Sequence, residues 1–161
     1  MKIAVCPGSF DPVTKGHIDI IERAAAIFDK VVVVTMVNSK KKPTFSLEER
    51  HDFLMRCTRG LSNVEIMSSD KLLAEWVNLV GDCVLVKGLR AVSDFESEFQ
   101  MALINRKLNP KLETLFLPTS EEHLYLSSSV VKEICSLGGD ITSFVSEEIY
   151  EDVKKRLLRG E

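Results

Sequence analysis

The sequence predicts an α/β domain: a doubly wound sheet of five parallel strands with helices on both faces. Two observations predict it. Short β-branched runs alternate with amphipathic stretches five times along the chain. The second of these runs, VVVVTMV (31–37), is apolar almost throughout, the pattern of a strand covered on both faces. Alternation of strand and helix gives a parallel sheet with right-handed crossovers.

The elements follow in order. KIAVC (2–6) reads as the first strand. HIDIIERAAAIF (17–28) carries Ile18, Ile21, Ala25 and Phe28 at helical spacing. VVVVTMV is the second strand. In SLEERHDFLMRCT (46–58), Ser46 and Glu49 have capping-box spacing, so a helix starts there. NVEIM (63–67) is a third strand, and KLLAEWVNLV (71–80) a helix closed by Gly81. DCVLVKG (82–88) is the fourth strand. DFESEFQMALINRKL (94–108) is a long helix stopped by Asn109 and Pro110, and apolar on more than one face. That is the mark of a subunit contact or of deep burial. ETLFLP (113–118) is the fifth strand. SSSVVKEICSLGG (127–139) and SEEIYEDVKKRLLRG (146–160) close the chain as helices, the last with acids first and bases last, matching the helix dipole.

The chain has 161 residues, a length suited to one domain, 1–161, with a full core. Apolar residues make up 45% and charged residues 28%, an ordinary globular balance. The net charge of −3 argues against general nucleic-acid binding. No apolar run is long enough to span a membrane, and the N-terminus shows no secretory layout. Cys6, Cys57, Cys83 and Cys135 lie far apart among apolar residues. Buried free thiols in a cytoplasmic protein are expected, and neither a zinc site nor a redox pair.

In sheets of this kind ligands bind beyond the carboxyl ends of the strands. The loops after strands one, two, four and five therefore hold the candidate chemistry. The first, PGSFDPVTKGH, offers glycines for close backbone approach, the Ser9 hydroxyl, and Gly16 and His17 at the start of a helix. Neutral His17 there can donate to a phosphate oxygen. The second, NSKKKPTF (38–45), is a lysine run ahead of a stiffening proline; alone it reads as a solvated face, and after strand two as a phosphate clamp. The third sets Lys87 and Arg90 on either side of Gly88, a point charge and a planar fork. The fourth, PTSEEHLYLSSS (118–129), opens a helix with Ser127, Ser128 and Ser129. A simple cap needs only one of these serines. His123 in the same stretch shows no sequence partner and reads as surface or loop.

Taken together these loops describe a polyphosphate site. No G-x-x-x-x-G-K-[ST] and no G-x-G-x-x-G occurs, so P-loop hydrolysis and dinucleotide redox chemistry lose support. No carboxylate pair or Ser-His-Asp layout is evident either. A phosphate monoester, already an anion near neutral pH, needs no general base, and catalysis then consists of positioning and electrostatic stabilisation.

The T-K-G-H of residues 14–17 resembles the H-x-G-H / T-x-G-H motif of the nucleotidyltransferase superfamily. PGSFDPVTKGHIDII, KKPTFSLEER, VKGLRAVSDFE and SSSVVKE occur in order, and with them nearly the whole chain resembles the bacterial phosphopantetheine adenylyltransferases. The resemblance implies a Rossmann-like fold, transfer of the adenylyl group of ATP to 4′-phosphopantetheine with Mg2+, a homohexamer, and feedback inhibition by coenzyme A. It also implies that His17 stabilises the transition state and that Lys41 and Arg90 join it as catalytic groups. By the same matching, Ser9 and Phe10 touch ATP, and Ser9 also the acceptor phosphate. Lys41, Leu73 and Lys87 bind phosphopantetheine, and Gly88, Leu89, Arg90 and Glu98 bind ATP. The segment His123, Leu124, Tyr125, Leu126, Ser127, Ser128, Ser129 holds adenine and phosphates, and no side chain is assigned as a metal ligand. Serine stands at 9 where the family has threonine, and lysine at 87 where arginine is usual. Two rivals remain: another small-molecule nucleotidyltransferase, such as a nicotinamide-mononucleotide adenylyltransferase or a cytidylyltransferase, and a nucleotide-binding regulatory module without turnover.

Overall fold

Residue alternation along the strands divides the core in two. In β1 (Ile3–Gly8) and β2 (Lys30–Met36), Ala4, Cys6, Val31 and Val33 point to one face of the sheet, and Ile3, Val5, Val32 and Val34 to the other. The apolar run of β2 is continuous because both faces are covered. β3 (Val64–Ser69), β4 (Cys83–Leu89) and β5 (Glu113–Pro118) complete a five-stranded sheet of order β3-β2-β1-β4-β5, parallel at every pairing. The computed structural model describes residues 1–37 and 42–159.

The first face carries α1 (Lys15–Ile27), α2 (Leu47–Thr58), α5 (Ser128–Ser136) and α6 (Glu147–Arg159), which bury Ile21, Leu54, Val131 and Ile149 in one cluster. The second face carries α3 (Leu73–Trp76), whose Ala74 and Trp76 pack on Val5, Val34 and Leu85. α4 (Val92–Leu108) borders β5 and exposes Phe95, Phe99, Met101, Leu103, Ile104 and Leu108. Its apolar residues are thus not explained by deep burial, one of the two expectations for this helix.

Strand order reverses between β1 and β4, which opens a crevice beyond their carboxyl ends. Loops one and three, after β1 and β4, meet there. Helix starts are set by side chains. Ser46 caps α2, its hydroxyl accepting from Glu49 N–H while the Glu49 carboxylate accepts from Ser46 N–H. Ser46→Ala is expected to cost about 1 kcal/mol and lower Tm by roughly 2–4 °C in a thermal melt. An unchanged Tm would mean that solvent replaces the cap.

One element differs from expectation. The helix predicted over 71–80 is a single α-turn, Leu73–Trp76, followed by a 3-10 turn, Val77–Leu79. Val77, Asn78 and Val80 are weak helix formers, and Asn109 Nδ2 donates to Ala74 O at 3.1 Å and to the Asn78 side chain. Gly81 closes the segment at φ 91°, as its position predicts.

Candidate functional site

The crevice holds a cavity of about 350 Å³. Its floor is the end of β1 and the loop after it, where the Phe10 ring lies against Gly8. A Cβ on Gly8 would meet the Phe10 ring at 2.8 Å, so only glycine lets the ring fold back there. Phe10 takes φ 48°, and its buried ring meets the His17 imidazole edge-on at 5.2 Å. Opposite, a Cβ on Gly88 would lie 2.8 Å from Ile20 Cγ1, so the glycine brings α1 close to β4.

Thr14 fixes His17. Its hydroxyl accepts from His17 N–H at 3.3 Å, and its own N–H donates to His17 Nδ1 at 3.0 Å. A capping box usually carries Glu or Gln at this third helical position; here an imidazole fills it. Because Nδ1 accepts from a backbone N–H, the ring proton belongs on Nε2. The structure therefore gives His17 one free function, an N–H donor at the cavity wall. The first turn of α1 is less open than the sequence suggested. Lys15 N–H donates to Phe144 O and His17 N–H to Thr14, which among the described residues leaves Gly16, one of the residues lining the cavity, with its N–H free.

His17 stays neutral. Its pKa is lowered from 6.5 to about 4, first by burial and then by the positive charges of Arg90 and Lys87. A second proton would also turn Nδ1 into a donor facing the donor of Thr14. The sign for stability follows from the unfolded chain binding this proton near 6.5 and the folded chain only near 4. The contribution is complete above the unfolded value and declines as pH falls toward the folded one, amounting to about 2 kcal/mol between roughly pH 7 and pH 5. His17→Gln keeps a capping-box residue without a titrating ring. Urea denaturation should show wild type losing about that much more stability than the variant over this range. Parallel losses would place the His17 pKa near its ordinary value.

The cations are held by carboxylates. Arg90 Nε and Nη2 donate to the two Asp94 oxygens at 2.7 and 3.2 Å, and Nη1 donates to Leu126 O at 2.7 Å. One edge of the guanidinium is thereby fixed, and its outer Nη1–Nη2 edge keeps hydrogens for an anion. Lys87 Nζ lies 3.3 Å from Glu98 Oε1, both half-buried. On sequence grounds Glu98 passes as a solvated helix acid; its half-buried partnership with Lys87 is what the fold adds.

α5 closes the cavity. Ser127 caps the helix, accepting from Val130 N–H, and Ser128 Oγ donates to Pro12 O at 2.7 Å. Ser129 keeps its hydroxyl exposed at the cavity, beside the first-turn N–H groups of Ser128 and Ser129. His123 lies in the loop after β5, as one half of its sequence reading has it, but not at the surface. Its side chain is 13% exposed and lines the cavity, and among the described residues its Nδ1 is buried without a hydrogen-bond partner. The 3-10 turn that carries it, Glu121–His123, packs over Gly16, whose Cβ position lies 3.5 Å from His123 Cβ.

Ser9, Phe10, His17, Lys87, Gly88 and Arg90 thus meet around one cavity, together with Glu98, His123 and residues 126–129. Leu89, Leu124 and Tyr125 border the same loops outside the cavity wall, and Leu124 and Tyr125 are exposed. Leu73 packs against the second-face core. Lys41 lies outside the described residues. Sequence reasoning missed Thr14 and Asp94, although both carry a signal: Thr14 stands three before His17, and Asp94 four after Arg90 on the incoming helix.

Comparisons with known proteins agree with this geometry. The profile of the cytidylyltransferase-like family matches residues 5–134. A phosphopantetheine adenylyltransferase from Clostridium perfringens is 50% identical, covering 100% of this chain and 99% of its own. One from Caldanaerobacter subterraneus subsp. tengcongensis is 51% identical, covering 99% and 100%. The chain belongs to the phosphopantetheine adenylyltransferases, within the cytidylyltransferase-like family. A solved structure of Plasmodium falciparum nicotinic acid mononucleotide adenylyltransferase complexed with NaAD superposes with a TM-score of 0.64 at 15% identity, over 99% of this chain and 95% of that one. At that identity the likeness shows the Rossmann-like nucleotidyltransferase fold alone. No relative named here supports the regulatory-module alternative.

Proposed function

We propose that the chain catalyses transfer of the adenylyl group of ATP to 4′-phosphopantetheine, giving dephospho-coenzyme A and pyrophosphate. The observation that carries the reading is the neutral His17, its Nε2–H left for the β1/β4 cavity that Lys87 and Arg90 also line. An oxygen of the acceptor phosphate forms a bond to the α-phosphorus of ATP, and the bond from that phosphorus to the bridging oxygen breaks. Pyrophosphate takes the electron pair. The attacking phosphate is an anion, so no base is required. His17 donates to a non-bridging oxygen as charge builds there, and Arg90 with the first turn of α5 holds the leaving phosphates. Ser9, Lys41 and Lys87 hold the acceptor phosphate, with Leu73 against its pantetheine arm. Phe10, Gly88, Leu89 and the segment 123–129 form the adenosine and phosphate side, with Glu98 setting Lys87.

Magnesium fits the site as a passenger on the triphosphate. The cavity carboxylates Asp94 and Glu98 are already paired with Arg90 and Lys87, so phosphate and water would supply its oxygens. Bound there, the ion would neutralise charge on the phosphates. The exposed aromatic and aliphatic face of α4, with exposed Leu115 on edge strand β5, supports assembly as a homohexamer. Coenzyme A differs from the product by one phosphate and suits the same cavity as a feedback inhibitor. Among the described residues no helix is long and apolar enough to cross a membrane. The four cysteines are free, which suits a reducing cytoplasm.

Pyrophosphate release tests the reading. Purified protein receives ATP and magnesium with 4′-phosphopantetheine, with nicotinamide mononucleotide, or with no acceptor. Release only with phosphopantetheine, and dephospho-coenzyme A as product, is expected. Release only with the mononucleotide would overturn the acceptor assignment. ATP binding with no release in any arm would overturn turnover itself.

A further inference from the structure

We propose that Asp11 is a positioning residue that ties the acceptor side of the site to the ATP side. The inference rests on the reading of Ser9, Lys41 and the serines of α5 given above. Asp11 is 8% exposed and does not line the cavity. Its carboxylate nevertheless joins three of the loops that do the binding. It accepts from Thr44 N–H at 3.0 and 3.1 Å and from Phe45 N–H at 2.8 Å. It also accepts from Lys132 Nζ at 3.1 Å. Thr44 and Phe45 connect the lysine run to the cap of α2, three and four residues after Lys41. Lys132 sits on α5 one helical turn beyond Ser128. Asp11 itself follows Ser9 by two residues.

Arginines hold the same segment from its other sides. Arg50 is buried, and its Nη1 donates to Ser9 O at 2.8 Å while its Nε donates to Ser46 O at 3.3 Å. Arg156 of α6 pairs with Glu49, donates to Thr44 O at 3.3 Å and lies over the Phe45 ring. The backbone of Thr44–Phe45, leading into α2, is therefore fixed on both sides. Within this frame, and among the described residues, Asp11 is the one group that reaches the donors of Thr44–Phe45 and α5 together. Donors to an ionised carboxylate make the strong class of hydrogen bond, and burial raises the cost of leaving any of them unpaired.

The test uses Asp11→Asn and Lys132→Met in the full chain. Asp11→Asn should raise KM for 4′-phosphopantetheine about tenfold with KM for ATP within about twofold, because the anchored residues follow Lys41 by only three and four positions. Amide hydrogen exchange should quicken by about tenfold or more at Thr44 and Phe45, with the amides of β1 and β2 unchanged. Lys132→Met, at a half-exposed position, should move both readouts in the same direction and add little to Asp11→Asn in the double variant. Equal rises in both KM values, unchanged exchange at Thr44 and Phe45, or additive effects of the two changes would each overturn the proposal. Exchange is read without substrate. A wild-type chain inactive toward phosphopantetheine would overturn the function proposed above and leave the role of Asp11 to be decided by exchange.

Discussion

His17→Ala is expected to lower kcat by about 10²–10³-fold while ATP affinity changes by about threefold or less. The ring offers the substrate one group, the Nε2–H, and that donor gains strength only as charge gathers on the α-phosphoryl oxygens. In the proposed reading, ground-state binding rests mainly on Arg90, the α5 turn and the adenosine pocket. Alanine also strips the Thr14 N–H of its acceptor, so a loss of stability of about 1 kcal/mol accompanies the change. His17→Gln separates the two effects. Glutamine suits the third position of a capping box, so stability should be largely kept while turnover is lost. Steady-state rates with an independent ATP-binding titration check this. A His17→Gln protein with close to the wild-type rate would show that the imidazole serves only to start α1.

Arg90→Ala is expected to reduce kcat/KM for ATP by about 10²–10³-fold, and Arg90→Lys to recover little of it. The guanidinium spends one edge on Asp94 and another hydrogen on Leu126 O, which aims its outer edge at the cavity. A lysine cannot hold Asp94 on two oxygens and still present two hydrogens to a phosphate. The same variant carries a second expected result. Arg90 is one of the charges that lower the His17 pKa, so its loss should move the His17 titration up toward the ordinary value. An NMR titration of the ring reads this directly. An unmoved titration would separate Arg90 electrically from His17, and a well-active Arg90→Lys would show that charge alone suffices.

The sequence made the frame of this molecule legible because the frame rests on periodicity. Val31 to Val34 alternate between two covered faces, and no other element type suits four successive β-branched residues of that kind. Ser46 and Glu49 announce the start of α2 by spacing alone, and the reciprocal cap is present. What periodicity cannot report is partnership across the fold. Glu98 looked like a solvent-facing acid because its partner Lys87 stands on a strand eleven residues earlier. His123 looked unpartnered, and in the structure it is so at Nδ1, but inside the cavity rather than on the surface. Asp11 meets Lys132 across 121 residues of chain, a separation no local pattern records. The break of the helix predicted over 71–80 has a related cause. Its weak formers are visible in the sequence, whereas the Asn109 side chain that bonds Ala74 and Asn78 arrives from the end of α4.

The site is read throughout as one that positions two phosphates and supplies no nucleophile of its own. The stereochemical course at the α-phosphorus tests that claim most directly. ATP carrying a single-configuration sulfur on the α-phosphate is converted with 4′-phosphopantetheine, and the configuration of the thio-substituted product is determined. One in-line displacement predicts inversion. Retention would mean two displacements through an adenylylated side chain, with His17 the nucleophile at hand, and would contradict the account.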